Sequence, residues 1–321
     1  MKFHIEKKKR GNCFPFAYNT LKQLDDSIFK HQEHSLRHPL GIYNTSLFSL
    51  FEELEKIVTD YQNLIEERKD AKLNSPLKES IISSLSNLLH LMQSHYDDCY
   101  SILKTFYSFT RASKKNIFAD KWLESVSCPG IKYFKNSIQK SRQHVADYVN
   151  KIKHNQARLM ASIWKNKDDL ILGYILHGKG DGNAIGPYNE INNGSPVSLN
   201  REISLILYEI YDTGYHLSEA IKLVLHKEKN YIVNDSFTAI ENSENKLQCV
   251  IKTISSLKQI VLPSEQTLPF PTIEHSGSHE DFEIILEYPG LKKAATPSKM
   301  AVSSEIATGD GVTTQFKGKL F

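Results

Sequence analysis

The 321-residue sequence predicts a mainly α-helical protein: a bundle of long antiparallel helices, interrupted by one β-hairpin and followed by a small β-rich C-terminal tail. Two observations carry that prediction. Between Asn44 and Phe106 apolar residues recur at steps of three and four, which gathers them on one face of a helix. From Leu170 the pattern changes to short apolar runs bounded by glycines, as expected of strands and turns.

Residues 1–43 read as an irregular N-terminal segment with a basic start, Pro15, Pro39, Gly41 and one helix near Tyr18 to His34. A long helix then begins near Asn44 or Ser46. Leu47, Leu50, Leu54, Ile57, Tyr61 and Leu64 form its seam, and Phe51, Val58 and Ile65 widen the seam into a core-facing stripe. Ser75-Pro76, a capping residue followed by proline at the first helical position, announces the next helix. Its Ile81, Leu85, Leu88, Met92, Tyr96, Cys99 and Leu103 again share a face, and a short polar connection makes the two helices antiparallel. After a break at Ser127-Cys128-Pro129-Gly130, a third long helix is predicted from Ile131 to Ile163. Leu170 to Leu176 reads as a buried strand and Ala184 to Ile191 as its return, joined across Gly178-Lys179-Gly180-Asp181-Gly182. Helices resume over residues 200–226 and 235–260. The helical domain is therefore assigned to 44–261, with the hairpin at 170–191. Residues 262–321 are assigned to a proline-bearing linker and a tail with strands at 282–288, 300–306 and 312–320, placed to pair with the hairpin.

With 40% hydrophobic and 24% charged residues the chain has an ordinary globular composition, which excludes wholesale disorder and fibrous architectures. No apolar run approaches the roughly 18 residues of a membrane span, and the opening residues lack the apolar core of a signal peptide. Cys13, Cys99, Cys128 and Cys249 stand singly, as free thiols do in a reducing compartment. The expectation is a cytoplasmic protein with no membrane contact.

The net charge of +3 conceals an asymmetry. Between Gly130 and Lys167 lie Lys132, Lys135, Lys140, Arg142, Lys151, Lys153, Arg158, Lys165 and Lys167 against the single acid Asp147, a segment of +8 set against −5 elsewhere. On a helical projection Phe134, Ile138, Val145, Val149, Ile152, Leu159 and Ile163 share an arc. Asn150, Lys151, His154 and Arg158 fall roughly opposite. A basic face of this kind suits phosphate contact, whereas the bland alternative is a solvated face answering acidic neighbours such as Glu52, Glu53 and Glu55.

Within that face, Tyr148-Val149-Asn150-Lys151-Ile152-Lys153-His154 resembles the signature region of the HEPN superfamily of α-helical proteins, in which an arginine, often followed by a polar residue, precedes a histidine by four to six intervening residues. Asn150 and His154 match; Val149, Tyr148 and Asp147 occupy the three positions open to the arginine. The resemblance implies a homodimeric helical protein acting on RNA in a toxin–antitoxin or antiviral defence system, with a partner protein encoded alongside. It also implies His154 as general acid or base, with Asn150 beside it. Lys140, Lys151, Lys153 and Arg158 would then contact nucleic acid. A missing arginine removes the main stabiliser of phosphate charge, a loss of about 10²–10³ in rate, and points to a non-catalytic member. Two alternatives are a structural or interaction protein whose helices mediate oligomerisation, and an active metal-independent ribonuclease.

Other groupings carry less. His31, His34 and His38 have ligand-like spacing but no acidic or cysteine partners, so no metal is expected. His95, Asp97 and Asp98 diverge around a helix and read as surface or capping groups. The Gly178 to Gly182 stretch lacks the order of a phosphate-binding loop, and no cofactor motif is present.

Overall fold

The apolar stripes of the two long helices become the central helix pair of the computed structural model, which describes residues 1–6, 13–67, 76–111, 118–165, 169–179, 185–233, 244–277, 282–290, 300–307 and 313–320. Helix α2 (Pro39–Glu67) and helix α3 (Pro76–Lys104) bury Leu47, Leu50, Leu54, Ile57, Leu85, Leu88, Met92 and Leu103 completely. Their side chains meet at Ser46 with His95, Glu53 with Asn87 and Asp60 with Ser80. Numbers rise along one helix as they fall along the other, so the pair is antiparallel.

The segment expected to be irregular is more ordered. It holds strand β1 (Lys2–Glu6) and helix α1 (Phe16–Lys22), and α2 starts at Pro39, several residues before Asn44. Beyond α3 come two short helices, α4 (Ala119–Ser125) and α5 (Pro129–Ser137), followed by α6 (Gln139–His154).

The predicted third long helix is corrected by the structure. Ile138, at φ −92° and ψ 3°, separates α5 from α6, and α6 stops at His154. The amides of Asn155 and Ala157 both return to the Lys151 carbonyl, and Gln156 takes a left-handed φ of 53°. The chain then leaves as strand β2 (Arg158–Lys165), so Arg158, Leu159 and Ile163 are strand residues and do not belong to the helical arcs.

Strand β3 (Leu170–Lys179) pairs antiparallel with β2 along the whole of β2, Arg158 opposite His177 and Lys165 opposite Leu170. The expected return is only the short β4 (Ile185–Pro187), opposite His177 to Lys179, and β5 (Val197–Ser198) also pairs with β3. Helix α7 (Leu199–Lys229) comes next, then α8 (Glu244–Ser256). In the tail, β6 (Thr272–Ser276) and β7 (Glu283–Glu287) form a three-stranded sheet with β1, while β8 (Met300–Ala307) and β9 (Thr313–Leu320) extend the other sheet through β2. The protein is mainly α-helical with two antiparallel sheets, and the tail is shared between them. The capping Ser75, the turn residues 180–182, Lys167 and residues 235–243 lie outside the described residues.

Helix α7 is the axis of the molecule. It packs against α1, α3, α5 and β3, and residues on every side of it are buried. Gly130 of α5 permits one of these contacts, because a Cβ there would lie 2.6 Å from the Ala220 carbonyl oxygen of α7.

Candidate functional site

Helix α6 presents two different faces to its surroundings. Val145 and Val149 enter the core, as their arc requires, while Lys140, Asn150, Lys153 and His154 are exposed. Asn150, Lys153 and His154 fall within the last turn or so of the helix, beside the exposed Arg158 at the start of β2. Lys140 stands about 20 Å away along the axis, at about 1.5 Å per residue, and does not join that group. Lys151 is also set apart: its Nζ donates to Glu190 Oε1 at 3.0 Å and lies 4.2 Å from the Tyr188 ring centroid.

Several charges of the basic segment are therefore answered. Lys135 pairs with Glu124 at 2.5 Å, and Arg142 lies 3.6 Å from Asp97 and 4.0 Å from Asp120, with its guanidinium over the Tyr100 ring. Lys132, Lys140, Lys153 and Arg158 make no ion pair among the described residues.

The other face of α6 meets α7 in a buried polar cluster that the sequence pattern did not single out. Glu202, in the first turn of α7, is fully buried, and its Oε1 accepts from His144 Nε2 at 3.0 Å. Burial alone would lower the imidazole pKa. The Glu202 charge, its hydrogen bond and the Glu209 charge together outweigh burial and hold His144 at about 9. Reciprocally, burial would raise Glu202, but the His144 charge and hydrogen bond, with Arg201, keep it below the usual carboxylate range. Glu209, two turns further along the same face, has no such hydrogen bond, and burial pushes it up to about 7. The Tyr148 and Tyr174 hydroxyls lie 3.5 Å apart beside this cluster.

A cavity of about 390 Å³ opens beside the pair, between α6, the 188–197 loop and the start of α7. His144, Asp147 and Tyr148 form one wall; Arg201, Glu265 and Val197 form another; Glu190 to Asn193 close the rim. The rim is fixed by Asn192, whose Nδ2 donates to the carbonyls of Ser195 and Pro196 while residues 192–194 all hold positive φ. Glu265 is buried, receives the Ser198 and Leu262 amides on Oε2, and is raised by its burial. The arrangement is a polar recess, open to solvent at its Glu190 and Asn193 rim, with charged groups on its walls.

A sequence signal for this cluster existed. Glu209 interrupts the otherwise apolar Leu205 to Tyr211 run, and Glu202 stands one turn before that run, a pattern that requires buried partners.

The remaining groupings have local roles. His95 is buried between α2 and α3, with Nδ1 2.8 Å from Ser46 Oγ, which corrects its reading as a surface group; burial lowers it to about 4. His34 contacts the Tyr107 carbonyl and His38 the Asp26 carboxylate. Among the described residues, no three His, Cys, Asp or Glu side chains are grouped to hold a metal, and no helix is long and apolar enough to cross a membrane. The chain matches no protein-family model, no curated protein and no solved structure.

Proposed function

We propose that the protein is an RNA-associated, non-catalytic binding protein that meets phosphates at the corner where α6 turns into β2. The observation that supports this reading is the grouping of exposed Asn150, Lys153, His154 and Arg158 around one turn, with neither Lys153 nor Arg158 in an ion pair among the described residues, although Lys153 acts on Asp97 at longer range. Two cations flanked by an amide and an imidazole suit a flexible phosphate backbone: Lys153 and Arg158 supply charge, and Asn150 and His154 supply hydrogen bonds. The non-catalytic part of the proposal rests on Val149. A side chain 1% exposed in the core cannot be exchanged for the phosphate-holding arginine without burying a charge, and Tyr148 and Asp147 carry no positive charge.

Salt-dependent binding of single-stranded RNA tests the proposal. Releasing two phosphate contacts in the Lys153→Ala/Arg158→Ala variant should flatten the slope of log K against log salt by about 1.4, at about 0.7 per contact for single strands. Lys151→Ala, whose lysine already faces Glu190, should leave the slope nearly unchanged. Absence of binding at low salt, or equal slopes in wild type and double variant, would reject the reading. RNA cleavage abolished by His154→Ala would reject the non-catalytic part.

A further inference from the structure

We propose that the cavity between α6 and the start of α7 is a binding site for a small organic molecule bearing an oxyanion, a carboxylate or a phosphate monoester, gripped by Arg201 and His144. This goes beyond the RNA reading and does not depend on it, because it concerns a different face of α6.

Arg201 carries the argument. Its side chain lines the cavity and the residue is 9% exposed, yet among the described residues it makes no ion pair and a single hydrogen bond, from Nε to the Pro269 carbonyl at 3.1 Å. The Arg201 charge is answered at longer range by Glu202 and Glu265, whose carboxyl pKa values it lowers, but no carboxylate reaches ion-pair distance, and a guanidinium has five N–H donors in a planar fork. The terminal nitrogens are thus left for something the cavity contains, and the fork shape matches an oxyanion with two oxygens.

His144 supplies a second donor. With Nε2 committed to the buried Glu202, Nδ1 is the nitrogen left for a ligand, and the Glu202 carboxylate keeps the ring protonated. Glu202 is therefore a positioning residue, while Arg201 and His144 touch the ligand. A third feature narrows the chemistry. Glu265 Oε1 is buried on the cavity wall without a hydrogen-bond partner, so a bound molecule should also offer a hydroxyl or N–H there. A volume of about 390 Å³ lies toward the small end of ligand pockets, which run about 300–1,000 Å³. A small hydroxy acid or a sugar phosphate fits these terms.

Calorimetric titration of the full chain at pH 7 with malate, glycerol 3-phosphate and ribose 5-phosphate tests the proposal. At least one probe should saturate with a Kd below about 1 mM, and whether malate or the phosphate esters bind distinguishes the two sources of oxyanion. Arg201→Met should weaken binding about 10- to 100-fold, and Arg201→Lys, which retains charge but loses the fork, should fall between.

Wild-type protein provides a check that needs no variant. The charged groups facing His144 are Glu202, Glu209 and Arg201 from α7, with Asp147 at the cavity rim and the Tyr148 phenol beside the ring. Glu209 titrates lower, near 7, so loss of affinity between pH 8 and 10 reports His144 losing its proton at about 9. None of the probes titrates in that interval. Failure of all three probes to bind wild type, binding unaffected by Arg201→Met, or affinity constant from pH 7 to 10 would each overturn the assignment.

Discussion

Glu202 has only one partner capable of neutralising it at hydrogen-bond distance among the described residues, the imidazole of His144, and this pairing makes stability depend on pH. His144 has a folded pKa of about 9 against an ordinary 6.5, so its contribution to stability is fully present below pH 6.5 and is lost as pH rises through 9. The size is roughly 3 kcal/mol by linkage. Glu209 is raised from 4.5 to about 7, so its protonated form favours the fold and its contribution is lost as pH rises from 4.5 through 7. Glu202 is lowered, and its contribution fades only as pH falls through and below the usual carboxylate range. Denaturant titrations should therefore give maximal stability near pH 4–5, with a decline toward pH 10. A profile rising from pH 6 to 10 would contradict these assignments. Glu202→Gln should cost about 3 kcal/mol at pH 6, as expected when one partner of a buried pair is removed. The His144 ring should then titrate below 7 by NMR. At this scale the sequence was half legible. Val149 facing inward and His154 facing outward came from helical arcs alone, but His144 acquires its meaning from Glu202, 58 residues later, and no local pattern announces such a pairing.

Among the elements, the antiparallel pair α2 and α3 was legible because each stripe is continuous, apolar and uninterrupted by breakers. The helix read over 131–163 was not, for two physical reasons. Its stop signal is the Asn155-Gln156 pair, with Gln156 in a left-handed conformation that glycine usually marks. The next segment, Arg158 to Lys165, is a strand with both faces buried along most of its length, and such a run carries no period-two alternation to distinguish it from buried helix. Gln156→Gly should accordingly stabilise the turn by about 0.5–1 kcal/mol, because the backbone already holds the φ of 53° that glycine adopts without strain. A lower melting temperature in that variant would mean that the side chain does something the backbone argument omits. Gly130→Ala tests the opposite kind of site. The added Cβ would stand 2.6 Å from a backbone oxygen of α7, which no rotamer change relieves, so a loss of about 1–3 kcal/mol is expected in chemical denaturation.

For the whole molecule, the two sheets act as clasps between distant parts of the chain. β1 at the start is held beside β7, with the Met1 amino group on the Tyr288 carbonyl, and β8 lies against β2 from Ser162 to Lys165. Strands in the tail were legible, but their partners were not: β8 pairs with β2, a segment read as helix, and not with the strands at 170–191, while β7 pairs with β1, in a segment whose composition reads as irregular. The arrangement makes β2 an interior strand only while β8 is present. Truncation after Gly290 leaves β1, β6, β7 and the whole helical body in place, so far-ultraviolet circular dichroism should keep its helical signal. It also strips the partner from one edge of β2, exposing unpaired N–H and C=O groups between Ser162 and Lys165 next to the partly buried Trp164. An edge of that kind pairs readily with another copy of itself. Light scattering should therefore show the truncated protein forming larger, concentration-dependent species than the full chain. A truncated protein with the same association state and melting temperature as the full chain would mean that β8 and β9 contribute nothing to protecting that edge.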